Sequence, residues 1–140
     1  MDKREITDTI VIHCTQTPAD MDFGVEKVTE WHKNRGFDTI GYHYLIKRDG
    51  TLQVDEDVVG AHAVAVNGTS IGVALVGGGT INMGWENNFT PIQFETLKSI
   101  LLQLKDKYNV QKIIGHYQVD DGKKCPSFDV PGWLEKHGLV

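Results

Sequence analysis

At 140 residues with a net charge of -5, the chain is long enough for one domain with its own core and carries no basic surplus of the kind nucleic-acid binding leaves. Hydrophobic residues are 40% and charged residues 24% of the whole, and no apolar run reaches bilayer-spanning length, which argues against a disordered chain and a helical membrane protein. The opening Met1-Asp2-Lys3-Arg4-Glu5 leads into a strand-like segment without an apolar signal region, so synthesis in the cytoplasm is expected. With only Cys14 and Cys125, a disulfide scaffold is not required, and a single Cys14–Cys125 bridge is the alternative to two thiols.

In chain order, strand and helix signals alternate without internal repeats. Ile6 to Cys14 is β-branched and apolar enough for a central strand, ended by Thr15-Gln16-Thr17-Pro18. Val25, Val28 and Trp31 at helical spacing predict an amphipathic helix over Val25 to Asn34, with Lys33 and Arg35 suiting its C-terminal dipole and Gly36 its end. Ile40 to Lys47 and Leu52 to Val54 flank Asp49-Gly50, a hairpin signal because glycine accepts the positive φ of such turns. Period-2 alternation then puts Tyr42, Tyr44 and Ile46 on one face and His43, Leu45 and Lys47 on the other. Ser70 to Val76 is a further buried strand, and Gly77 to Asn88 a long surface loop. Thr90-Pro91-Ile92-Gln93 is a capping box opening a helix with Phe94, Leu97, Leu101, Leu104 and Tyr108 as its buried stripe. Lys112 to His116 is the next strand, and Asp129 caps a short last helix through Trp133 and Leu134, ended by Gly138. The expected fold is a single α/β (mixed α+β) domain over residues 1–140, a central mixed sheet of about five strands flanked by about three helices.

Two apolar runs, Thr9-Ile10-Val11-Ile12 and Ile113-Ile114-Gly115, each deliver a histidine, His13 and His116, and Cys125 follows the second within a polar loop. Imidazole and thiolate both suit zinc, and three protein ligands with an open position is the arrangement of catalytic zinc. A histidine at a strand end is usually a simple boundary residue; the shared placement with Cys125 nearby raises the metal reading above that. Cys14, His43, His62 and His137 have no convincing spacing for a fourth ligand, and His32 and His137 read as surface residues. Tyr42 is either a core aromatic or a phenol that orients a nucleophile, and Lys123 either a solvated lysine beside Lys124 or a cation that stabilises an oxyanion. Gly77-Gly78-Gly79 lacks the lysine and hydroxyl residue of a phosphate loop.

These residues make the chain recognisable. It resembles the zinc-dependent N-acetylmuramoyl-L-alanine amidases, which include amidase-type phage lysozymes, recycling amidases and peptidoglycan recognition proteins. The likeness runs through Ile10-Val11-Ile12-His13-Cys14, Trp31-His32-Lys33, Gly41-Tyr42-His43-Tyr44, Ile46-Lys47-Arg48-Asp49-Gly50-Thr51, His62-Ala63, Ser70-Ile71-Gly72-Val73, Leu75-Val76-Gly77-Gly78, Asn88-Phe89-Thr90-Pro91 and Cys125-Pro126-Ser127-Phe128-Asp129, and is strongest to the phage endolysin type. It implies one zinc per chain on His13, His116 and Cys125, a catalytic tyrosine at Tyr42, a catalytic lysine at Lys123 and a groove-lining His62. Eight residues separate His116 from Cys125, one more than the closest phage enzymes show, which leaves Lys124 as the alternative to Lys123. The implied reaction is hydrolysis of the amide between the lactyl group of N-acetylmuramic acid and L-alanine, in a monomer acting on peptidoglycan if released to the wall. The alternatives are a recycling amidase acting on soluble muropeptides, a non-catalytic peptidoglycan-binding module, and a regulator with a protein partner such as a polymerase.

Overall fold

Thr9–Cys14 (β1) forms a central strand because every one of its six residues is buried, as its unbroken apolar and β-branched run requires. The computed structural model describes residues 7–22, 42–54, 69–82, 84–118 and 124–139. In these, Tyr44–Ile46 (β2), Leu52–Val54 (β3), Ser70–Leu75 (β4) and Lys112–Gly115 (β5) complete a five-stranded sheet of order β3-β2-β4-β1-β5. β1 pairs in parallel with β4 and β5, β2 in parallel with β4, and β3 antiparallel with β2. The mixed five-stranded sheet is the one expected. The hairpin between β2 and β3 turns on Gly50 at φ 87°, with the Lys47 N–H on Thr51 O at 2.9 Å and the Gly50 N–H on Lys47 O at 2.9 Å.

Pro91–Lys107 (α1) and Val130–Lys136 (α2) pack on one face of the sheet. Ile10, Ile12, Ile71, Val73, Leu75 and Ile113 meet Leu97, Ile100, Leu101 and Leu104 of α1 and Val130 and Leu134 of α2 there. Phe94 and Tyr108, expected in the buried stripe, are only partly buried at its two ends, and Ile100 belongs to it. Asp129 caps α2 by accepting the Gly132 N–H, and Gly138 follows its end at φ 68°. The helix expected over 25–34 lies outside the described residues.

Three expectations are corrected. β2 begins only at Tyr44, and Tyr42 packs with Leu45, Ala74 and Val76 on the face opposite Tyr44 and Ile46. His43 explains the break: its main-chain N–H donates to Gly72 O at 2.9 Å and its Nδ1 accepts the Gly72 N–H at 3.0 Å, so the imidazole takes the place of a ladder carbonyl. Second, Gly77, Gly78 and Gly79 are buried, because Gly78 bridges in parallel to Thr17 and Gly79 antiparallel to Trp85. Third, His137 is half-buried, its ring 4.7 Å from that of Trp133.

The capping box of α1 does a second task. Gln93 Oε1 accepts the Thr90 N–H at 2.9 Å while Nε2 donates to Ile46 O at 3.2 Å and Val76 O at 2.9 Å, tying β2 and β4 to the helix start in a fully buried position. Gln93→Ala removes one donor from each of two buried carbonyls, which keep the Val76 N–H on Ile46 O and Arg48 Nη1 on Val76 O, and is expected to cost roughly 1–3 kcal/mol. Urea denaturation should show a lower midpoint with an unchanged slope; an unchanged midpoint would contradict the bridging role.

Candidate metal centre

The register of β1 against β5 places the two histidines. Ile12 pairs with Gly115 as the last of the parallel partners, so His13 and His116 stand one step further along, His13 still within β1 and His116 just past the end of β5. Their ring centroids lie 4.4 Å apart, close to the spacing of the strands that carry them. His116 itself opens a 3₁₀ turn, His116–Gln118, rather than ending the strand as expected, and Gln118 Oε1 accepts the Gly115 N–H at 2.8 Å. His13 is fully enclosed, on the face away from the helices.

Cys125 comes from a loop, and hydrogen bonds hold it where pairing cannot. The Tyr117 N–H donates to Cys125 O at 3.0 Å, the Ser127 N–H to Lys124 O at 2.6 Å, and the Ser127 hydroxyl to Gly78 O at 2.7 Å. Gly78 stands at φ 82°, where a Cβ would come 2.6 Å from Cys14 Sγ, so only glycine fits. Its N–H donates to Asn88 Oδ1 at 2.8 Å; Asn88 Nδ2 in turn donates to Gly79 O at 2.9 Å, and Arg48 Nη2 donates to Asn88 O at 2.6 Å. Within this frame the Cys14 N–H donates to Cys125 Sγ at 2.8 Å, the kind of bond that stabilises a thiolate. Cys14 and Cys125 are both buried and are not joined to each other. A hydrogen bond from the Cys125 side chain lowers the Cys14 thiol below its ordinary pKa against the upward pull of burial, with Gln16 and Ser127 adding to the lowering.

One ligand atom from each of His13, His116 and Cys125 lies within 4.8 Å of the other two. Small side-chain rotations bring such donors to the roughly 2.0–2.3 Å bonds of zinc, and two imidazoles with one thiolate match its donor preference. The donor set therefore fits the metal. Tyr42 is half-buried with its ring 5.1 Å from that of His13, so it reaches the centre by leaving the strand early. His43, weighed as a fourth ligand, is committed to Gly72 through Nδ1. Lys124 is exposed; Lys123, His62 and His32 lie outside the described residues. The tasks of Asn88 and Ser127 and the bridging by Gln93, read only as part of a capping box, are not evident from the sequence, and only the Asn88-Phe89-Thr90-Pro91 and Cys125-Pro126-Ser127 motifs point to the first two. A pocket of about 630 Å³ is lined by Trp85, Tyr117, Lys124 and Phe128 among others, and the three candidate ligand residues do not line it.

The profile of the family described as N-acetylmuramoyl-L-alanine amidase matches residues 2–128. The chain is 45% identical to the endolysin of Klebsiella phage KP32 over 140 residues, covering 99% of this chain and 92% of that one. It is 44% identical to the endolysin of Escherichia phage T7 with the same coverage. Among solved structures it is similar to the endolysin N-acetylmuramoyl-L-alanine amidase LysCS from Clostridium intestinale, with a TM-score of 0.79 and 33% identity over 94% of this chain and 84% of that one.

His13→Ala and His116→Ala are each expected to weaken zinc binding more than about 100-fold, and Asn88→Ala, which loosens the frame without touching the ligands, about 10-fold. Competition titration against a chromogenic chelator measures both effects. Equal affinity in His13→Ala and the parent would remove His13 from the centre.

Proposed function

We infer the reaction from one premise: this chain belongs to the N-acetylmuramoyl-L-alanine amidase family. It is an amidase of the phage endolysin type, hydrolysing the amide that joins the lactyl group of N-acetylmuramic acid to L-alanine and so lysing the cell wall. The convergence of His13, His116 and Cys125 carries the assignment of its centre. We assign one zinc ion per chain to these residues. Bound there, the ion would polarise the scissile carbonyl and acidify a water.

The protein's own groups supply the rest. Tyr42, beside His13, is proposed to orient the attacking water and pass a proton toward the departing amine, which must leave neutral. Lys123 is proposed to balance the charge gathering on the carbonyl oxygen. Because a thiolate donor reduces the centre's positive charge, that cation has more to contribute than it would beside three neutral ligands. His62 is proposed to line the groove. Likeness to phage endolysins over nearly the whole chain favours the wall polymer over soluble muropeptides and supports reading the chain as one amidase domain. No helix among the described residues is long and apolar enough to cross a membrane. Cytoplasmic synthesis followed by release to the wall is the proposed route.

The test is mass spectrometry of products from purified peptidoglycan and from a soluble muropeptide, with and without a zinc chelator. Stem peptides beginning in L-alanine are expected, faster from the polymer, and lost on chelation; zinc-loaded protein that releases none would overturn the reading. Tyr42→Phe should keep zinc and slow turnover by about 10²–10⁴-fold. Lys123→Ala should slow it far more than Lys124→Ala, and equal losses would undercut the choice of Lys123.

A further inference from the structure

Cys14 takes no part in the reaction, yet its thiol is buried against the sulfur that completes the metal centre. Cys125 Sγ lies 2.8 Å from Cys14 N and 3.7 Å from Cys14 O, so it sits directly on the main chain whose Cα carries the second thiol. With ordinary bond lengths, a sulfur so close to that amide keeps the two Cα atoms within about 7 Å. Disulfides join residues whose Cα atoms are roughly 4.4–6.8 Å apart, and the bound set here falls at the edge of that range, so joining these two asks for side-chain rotation and at most a small main-chain shift. Strand alternation sends the His13 side chain to the metal face and the Cys14 side chain to the other, and the Cys125 sulfur, arriving past the strand end, is within reach of both.

We propose that Cys14 and Cys125 form a redox pair in which a disulfide between them withdraws the third metal ligand and releases the ion. The inference rests on the reading of Cys125 as a ligand. With hydrogen peroxide as oxidant, one cysteine sulfur attacks a peroxide oxygen, the O–O bond breaks, and a sulfenic acid and one water form. The other cysteine's sulfur then attacks the sulfenic sulfur, the S–S bond forms as the S–O bond breaks, and the thiol proton leaves in a second water. The two sulfurs together lose two electrons and the peroxide gains them. The product sulfur is no longer an anionic donor, and two histidines alone do not make a zinc site. The bound ion competes for the same sulfur, so metal loading protects the pair and metal loss exposes it.

The experiment uses the full chain, reduced and loaded with zinc, then treated with hydrogen peroxide. Zinc content before treatment, compared with that of Cys125→Ser, tests the ligand reading by itself. After treatment, peptide mass spectrometry is expected to find a Cys14–Cys125 crosslink 2 Da lighter than the two thiols, with one zinc released per crosslink and faster crosslinking in metal-free protein. Dithiothreitol should restore both the thiols and zinc binding. Cys14→Ala keeps the backbone N–H that faces Cys125, so it should bind zinc; lacking a resolving thiol, it should fail to regain zinc lost to peroxide, because its single sulfur proceeds to irreversible acids. The proposal is overturned if wild-type protein gives no intramolecular crosslink, if the crosslink forms while zinc stays bound, or if Cys14→Ala recovers its zinc as fully as the parent.

Discussion

The parallel register of β1 against β5 is the constraint on which the rest of the site depends. It is fixed by the core, since Ile10 and Ile12 must face Leu97, Leu101 and Leu104 while Ile113 stands beside Ile10. A slip of one residue would turn His13 into that apolar layer and send the isoleucines to the opposite face. Burying an imidazole among leucines without a partner costs several kcal/mol, so the forces that pack the core also keep the two histidines side by side. A metal centre on these residues would need no separate device to align its first two ligands.

The proposed third ligand does need one. Cys125 belongs to no strand, and its position is specified by a polar frame that starts at Arg48, passes through Asn88 to Gly78 and reaches the cysteine loop through Ser127. Such a frame is stable only if its members are satisfied, and among the described residues no buried side-chain nitrogen or oxygen lacks a partner. Ser127 adopts φ 74°, a left-handed conformation uncommon for a residue with a Cβ, and its two hydrogen bonds to Lys124 and Gly78 hold it there. The contrast is physical: hydrophobic burial sets the histidines, and directional hydrogen bonds set the cysteine.

That contrast also decides what the sequence discloses. The histidines were legible because the runs ending at His13 and His116 report buried strands directly, and the start of α1 because Thr90-Pro91-Ile92-Gln93 is a local code for a helix end. Tyr42 was assigned to the wrong face because alternation presumes a strand that has already begun, and nothing local announces that the His43 side chain takes over a ladder position from Gly72. Gly77-Gly78-Gly79 was read as surface since glycine runs usually are, whereas bridges to Thr17 and Trp85 bury it. The tasks of Asn88, Gln93 and Ser127 depend on partners 9 to 71 residues away, as in Asn88 with Gly79 and with Thr17, and no periodicity encodes such pairs. Lys123 and His62 rest on family resemblance alone.

Burial also divides the centre into a closed side and an open one. His13 and Cys125 are 1% and 3% exposed, so a large substrate cannot be presented to either directly, whereas His116 and Tyr42 are half-buried. A substrate amide at the proposed centre would therefore come in over Tyr42 and His116. In the role proposed for Tyr42, its phenol would then meet both the nucleophile and the leaving nitrogen without displacing a ligand. The protein's net charge of -5 gives no long-range attraction to an anionic wall, so recognition has to come from contacts along that open side. An enclosed pair, His13 and Cys125, and a more accessible pair, Tyr42 and His116, are thus two results of one geometry, in which β1 ends inside the protein and the chain after β5 turns outward at His116.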